Sequence, residues 1–214
     1  MTIDEFKVPL SDLPLFERVE VLAMEFYKLG LFLGTSTGSE PIFDLDQPLT
    51  RLQALVLTIR LQGLEEEALA FEGDNPFDDV PDWGAAYAAF AFAQGITNGT
   101  SPDTFSPNDL VTCQQFTAFL LRTLGYSEKD GDFEYDDTLK YAQLIELISA
   151  EQLADLGEGV FLRGNAVVEM VLALMTLVKD SDNVRLINTL IDAGVITQEE
   201  AVAFVEVLTA LGGG

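Results

Sequence analysis

The chain has 214 residues, of which 48% are hydrophobic and 22% charged, so it has enough apolar material to bury a core. Asp and Glu total 36 against 11 Lys and Arg, and the resulting charge of −25 repels nucleic-acid phosphates and anionic lipid headgroups. Histidine is absent and Cys113 is the only cysteine, which excludes Ser-His-Asp and Cys-His catalysis, an intramolecular disulfide and a Cys-rich zinc site.

The first seven residues, Met1 to Lys7, lack the basic start and apolar core of a secretion signal, so the chain is either intracellular or numbered from beyond a removed signal. Phe16, Val19, Ala23, Phe26 and Tyr27 follow a helical period and predict the first helix. It ends at Gly30-Leu31-Phe32-Leu33-Gly34-Thr35-Ser36. That pattern returns as Gly95-Ile96-Thr97-Asn98-Gly99-Thr100-Ser101, and in both copies the first glycine caps a last helical turn while the next apolar residue packs back.

Downstream, Phe43 precedes Thr50 by seven positions, as Phe105 precedes Thr112. Thr50-Arg-Leu-Gln53 and Thr112-Cys-Gln-Gln115 both have the spacing of a capping box and predict helix starts. Leu52, Leu55, Val56 and Ile59 continue the first of these helices, and Phe116, Phe119, Leu120 and Leu124 the second. Trp83, Ala86, Tyr87, Phe90 and Ala93 form the face of the helix that leads into the second loop.

A weaker third copy reads Tyr141, Leu144, Ile145 and Ile148, then Val168, Val171, Leu172 and Met175, with Asn165 as its helix cap. The apolar run from Ala166 to Val178 contains Glu169 and is shorter than the roughly 20 residues that span a bilayer, so it reads as a buried helix. Val184, Ile187, Leu190 and Ile191 form a short helix closed by Gly194, and Thr197-Gln-Glu-Glu200 opens a last one.

Taken in order, Phe77-Asp-Asp-Val-Pro-Asp-Trp83, Gly95-Ile96, Gly99, Phe105-Ser-Pro107 and Thr112 through Leu124 resemble one whole S-layer homology repeat. Thr50-Arg51-Leu52-Gln53 resembles that family's Thr-Arg-Ala-Glu signature. The resemblance implies an all-α fold of three helical-hairpin repeats arranged as a pseudo-three-fold spindle around a central bundle, with a C-terminal helical hairpin added. Expected boundaries are 1–72, 73–126 and 127–180 for the repeats and 181–214 for the extension.

It further implies a non-catalytic module, outside the cell, that binds secondary cell-wall polysaccharide, often pyruvylated, in grooves between repeats. No metal or cofactor is expected. Arg51 and Arg163 would contact the ligand, Trp83 and Asp79 match the helix-entry motif beside a groove, and Gly34 and Gly99 match the loop glycines. Cys113 stands where the second signature has arginine, and the third has lost its threonine and its acid, so at least one groove is expected to be silent.

Physical alternatives stand beside each of these expectations. Arg51, a cation at a helix start, either meets an anion together with free amides of that turn or pairs with Asp44 or Asp46. Trp83 either stacks on a sugar or, as its helical period favours, is buried. Cys113 reads as a packed replacement for arginine and not as an activated thiol. Asp74, Asp78, Asp79 and Asp82 lack calcium-loop spacing and fit capping roles. A degenerate scaffold that docks other surface proteins is the alternative function, and a hydrolase using paired carboxylates such as Asp78 and Asp79 is a remote third.

Overall fold

The computed structural model describes residues 3, 6, 8–36, 40–156 and 159–212. Ten α-helices run through them: α1 (Val19–Lys28), α2 (Arg51–Leu61), α3 (Glu65–Leu69), α4 (Asp82–Ala93), α5 (Cys113–Thr123), α6 (Thr138–Leu144), α7 (Ala150–Leu156), α8 (Arg163–Met175), α9 (Leu186–Asp192) and α10 (Gln198–Leu211). Among the described residues there is no sheet, only isolated bridges, so the chain is all-α. No helix there is long and apolar enough to cross a membrane.

Local chemistry starts and stops these helices. Thr50 Oγ1 accepts from the Gln53 amide at 3.3 Å while Gln53 Oε1 accepts from the Thr50 amide at 3.0 Å, and Thr112 with Gln115 repeats the exchange. Thr197 and Glu200 do the same for α10. At α8 the cap position belongs to Leu162, not Asn165. Asn165 is the third helical residue, and its Oδ1 accepts from the Leu162 amide at 2.8 Å, so it takes the part of Gln53 and Gln115.

Helices α1, α4, α6 and α9 end alike, with a residue of positive φ followed by an amide that reaches back five residues: Leu31 to Phe26, Ile96 to Ala91, Leu147 to Ala142 and Val195 to Leu190. Glu146 takes the left-handed position in the third case, where the others have glycine. Helix α6 therefore stops at Leu144, which is 75% exposed, and Ile148 lies beyond it instead of on its face as the period suggested. Between α6 and α8 stands the unforeseen helix α7, opened by a Ser149–Gln152 capping box. Its Ser-x-x-Gln signal was present in the sequence.

Helices α2, α5 and α8 touch one another pairwise and form the centre of the core. They are buried over most of their length, α8 from Ala166 through Met175, as its apolar run predicted. Helix α4 packs on α2, with Gly84 facing Leu52 so closely that a Cβ there would lie 2.5 Å from Leu52 Cδ2. Its buried residues are Gly84, Tyr87, Ala88, Ala89, Phe90 and Ala91, so Tyr87 and Phe90 lie inward as expected, and with successive helical residues about 100° apart the inward turn of Gly84 leaves no inward place for Trp83. Trp83 consequently turns outward and is 60% exposed, which corrects its expected burial.

The C-terminal hairpin closes over the first helix. Phe204 of α10 meets Phe26 of α1 edge-on at 5.6 Å, and both are buried. Arg185, at the cap of α9, donates from Nη1 to the Ile3 carbonyl at 3.1 Å, tying the C-terminal hairpin to the N-terminal segment.

Candidate functional site

Two arginines make the same clasp on two different loops. Arg51 donates its amide to Asp109 O at 2.9 Å and its Nε to Phe105 O at 2.9 Å, and the next amide, of Leu52, reaches Pro107 O. Arg163 donates its amide to Gln47 O at 2.8 Å and its Nε to Phe43 O at 2.8 Å, and Gly164 N reaches Leu45 O. Each guanidinium also lies over an aromatic ring, Arg51 at 4.9 Å from Phe105 and Arg163 at 5.0 Å from Phe32. The loop before α2 thus receives the start of α8, and the loop before α5 receives the start of α2.

The clasp decides between the alternatives for Arg51. Its partner is a main-chain carbonyl 54 residues away, and among the described residues no carboxylate forms an ion pair with it, so pairing with Asp44 or Asp46 is ruled out. The amides of Arg51, Leu52 and Gln53 are all spent, on Asp109 O, Pro107 O and Thr50 Oγ1, so the helix start offers no amide cradle to an anion. What remains is the guanidinium. Arg51 as a whole is only 4% exposed, burial pulls its pKa down from the ordinary arginine value, and neither terminal nitrogen has a hydrogen-bond partner among the described residues.

Arg51 is one of the residues that line a cavity of about 370 Å³ between the start of α2, the Thr97–Thr100 loop and α5. Gln115, Phe119 and Arg122 of α5 line it, with Glu128 and Tyr135 closing the far side. Arg122 is fully engaged: Nη1 donates to Ile96 O at 3.0 Å, and Nε and Nη2 grip Glu128 at 3.1 and 2.5 Å. Gln115 was anticipated only as a helix cap, and Arg122, Glu128 and Tyr135 were not anticipated. Arg60 stands nine residues after Arg51 and Arg122 nine after Cys113, and each pairs with a downstream glutamate, so the internal repeat held the signal.

Of the other expected residues, Gly99 lines the same cavity. Its φ is +75°, and a Cβ there would lie 2.5 Å from Ser101 O and 2.7 Å from Thr104 O. Gly34 holds the matching place in the first loop, 2.5 Å from Ile42 O by the same measure. Asp79 acts one step behind the site: its carboxylate accepts from the Phe105 and Ser106 amides at 2.8 and 2.7 Å, fixing the carbonyl that holds Arg51. Asp79→Asn would place an amide nitrogen against one of those donors. Its expected cost is about 2 kcal/mol, the scale of a hydrogen bond to a charged group, read as a lower denaturant midpoint.

Arg163 and Trp83 are not among the residues that line the Arg51 cavity. The cavity of about 670 Å³ beside the loop that Arg163 clasps is lined by Glu20, Glu25, Asp44 and Asp46, a wall that repels anions, and Arg163 is not part of it.

At the third equivalent position, Cys113 Sγ donates to Glu169 Oε1 at 3.4 Å, and Thr117 Oγ1 lies 2.9 Å from Glu169 Oε2. Burial and the neighbouring Glu169 push the thiol's pKa well above its ordinary value, so it remains protonated and poorly nucleophilic.

Residues 76–117, which carry this loop and the start of α5, match the family model described as the S-layer homology domain. That segment is similar to an S-layer homology domain. Three relatives place it in context. A "Cell surface protein" of Thermoanaerobacter kivui is 33% identical over 134 residues, 61% of this chain and 17% of the relative. A "Middle cell wall protein" of Brevibacillus brevis is 31% identical over 100 residues, 46% of this chain and 9% of the relative. An "Endoglucanase" of a Bacillus species is 39% identical over 69 residues, 31% of this chain and 7% of that protein. The chain spans less than a fifth of the length of each. The S-layer homology match includes Asp79 and Gly99 and reaches Cys113, and the cavity extends from it to Arg51 on one side and Tyr135 on the other.

Proposed function

We propose that the protein is a cell-surface anchoring module, outside the cell, that attaches a longer polypeptide to the wall by binding an acidic wall polysaccharide in the Arg51 cavity. The observation that carries this reading is a nearly buried arginine whose two terminal nitrogens are uncommitted and which lines a cavity of small-molecule size. A carboxylate-bearing sugar, such as a pyruvylated hexosamine, would supply the two acceptors that such a fork prefers. The net charge of −25 does not forbid it, because repulsion from distant carboxylates is screened beyond about 8 to 10 Å at physiological salt.

The S-layer homology match and the names of the relatives support a surface role. The segments 1–72, 73–126 and 127–180 are proposed as its three repeats. Anchoring also fits the carboxylates better than hydrolysis does. Glu65 is bound by Arg60 and by the Tyr87 hydroxyl, and Asp79 by two amides, so both serve packing.

The test is calorimetric titration of purified wall polysaccharide into wild type and Arg51→Ala, with thermal melting of both to separate binding from folding. Loss of one partner of a buried, hydrogen-bonded charge pair costs about 2 kcal/mol or more, roughly 30-fold in affinity. No heat with wild type rejects the anchor in favour of a protein-docking scaffold, and equal binding by the variant removes Arg51 from the site.

A further inference from the structure

The cavity's charge can be counted from its walls, and the count bears on which acidic group it accepts. Arg51 contributes one positive charge with no ion-pair partner among the described residues. Arg122 contributes a second, but Glu128, also on the wall, cancels it through two hydrogen bonds. Burial raises the pKa of the Glu128 carboxyl, yet the bonds from Arg122 and its own backbone amide outweigh that effect and hold it below the ordinary glutamate value, so it stays ionised at neutral pH. Thr97, Asn98, Thr100, Gln115 and the Tyr135 phenol are neutral. Asp109 and Asp79, which are not part of the lining, act on Arg51 electrostatically and add only negative potential.

We infer that this cavity is matched to a ligand group carrying a single negative charge, and that Glu128 is the residue that turns away a dianion. The inference rests on the proposed binding at Arg51 and makes it narrower: a carboxylate, as in a ketal-linked pyruvate, is taken, and a fully ionised phosphate monoester is refused. The physical reason is that the second charge of a dianion finds no free cation in the cavity and meets the Glu128 carboxylate in a partly desolvated space, where a unit charge at close range is poorly screened.

The experiment compares two probes, a pyruvylated hexosamine and the corresponding hexosamine 6-phosphate, by calorimetry at pH 8 and pH 5. A phosphate monoester has its second pKa near 6, so it is a dianion at the first pH and a monoanion at the second. Wild type is expected to bind the pyruvylated sugar at both pH values and the phosphosugar roughly tenfold or more weakly at pH 8 than at pH 5. Glu128→Gln, which keeps an acceptor for Arg122, is expected to erase that pH difference by gaining affinity for the dianion. The wild-type comparison stands alone should the variant fold poorly. Equal phosphosugar affinity of wild type at both pH values overturns the inference while leaving the Arg51 site intact, as does unchanged selectivity in a folded Glu128→Gln. Binding of neither sugar by wild type overturns both.

Discussion

Replacing Glu169 by glutamine is expected to stabilise the protein above neutral pH and to flatten its stability across the range from acid to mild alkali. Glu169 lies on α8 facing α5, with 0% of its surface exposed, and burial pushes its pKa up to about 8 from the ordinary 4.5. Its neighbours explain why the neutral form fits. Cys113 Sγ–H donates to Oε1, and Thr117 Oγ1 lies 2.9 Å from both the Cys113 carbonyl oxygen and Glu169 Oε2. The threonine has one proton, and if it goes to the Cys113 carbonyl, the 2.9 Å contact to Oε2 is satisfied by a proton on the glutamate. Ionised, the carboxylate would compete with the carbonyl for that single donor and would have no cation beside it.

The sign follows from proton counting. Between about pH 4.5 and pH 8 the folded protein retains the Glu169 proton and the unfolded chain does not, so stability is complete below the lower value and falls as pH rises to the upper. At about 1.4 kcal/mol per pH unit, the loss across that window is on the order of 5 kcal/mol. Glu169→Gln cannot ionise. Its melting temperature at pH 8 should exceed wild type by on the order of 10 °C, with little difference at pH 4.5. Thermal melting monitored by circular dichroism from pH 4.5 to 8.5 decides the matter: parallel curves for the two proteins would show that Glu169 is ionised in the folded state.

The second large effect is expected at Gly99. An alanine there must hold φ near +75° with its Cβ 2.5 to 2.7 Å from two carbonyl oxygens and 2.5 Å from Cε1 of Phe77, itself buried. The left-handed conformation alone costs about 1 to 2 kcal/mol, and forced displacement of packed neighbours adds a similar amount. Gly95 has almost the same φ, +73°, but nothing within 4 Å of the added carbon. Gly95→Ala should therefore cost only the first contribution, and Gly99→Ala about 3 kcal/mol in all, near 10 °C in melting temperature. Under the proposed function, Gly99→Ala should also weaken polysaccharide binding, because the Thr97–Thr100 loop is a cavity wall. Equal melting of the two variants would mean that the loop yields freely.

What could be read from the sequence was what the chain decides within a few residues. Thr50–Gln53 and Thr112–Gln115 exchange hydrogen bonds across three positions, and the glycines at 30 and 95 act on the turn that they end, so caps, ends and the internal similarity were all visible. The tail hairpin, closed by Gly194 and reopened by Thr197, was visible for the same reason. Trp83 was misplaced because Gly84, which looks like a weak point in a helix, is the residue that faces α2, and that choice is made by Leu52. Arg51 was singled out by its place in a repeated signature, but its partner Phe105 is 54 residues away, and nothing local announces that a main-chain oxygen would hold one end and leave the other uncommitted. Glu169 was noticed only as an interruption in an apolar run, since Cys113 and Thr117, more than 50 positions earlier, give it its meaning.

The clasps made by Arg163 and Arg51, with the Glu169 cluster between α8 and α5, join the last central helix to the first loop, the first central helix to the second loop, and the second central helix back to the last. Stacked helical arrays have ends, from which they can fray or be lengthened one copy at a time. A closed circuit has neither. Removing α8 would leave Phe43 and Gln47 with carbonyls that had lost their donors. Melting is therefore expected to be a single event in which these joints are lost together.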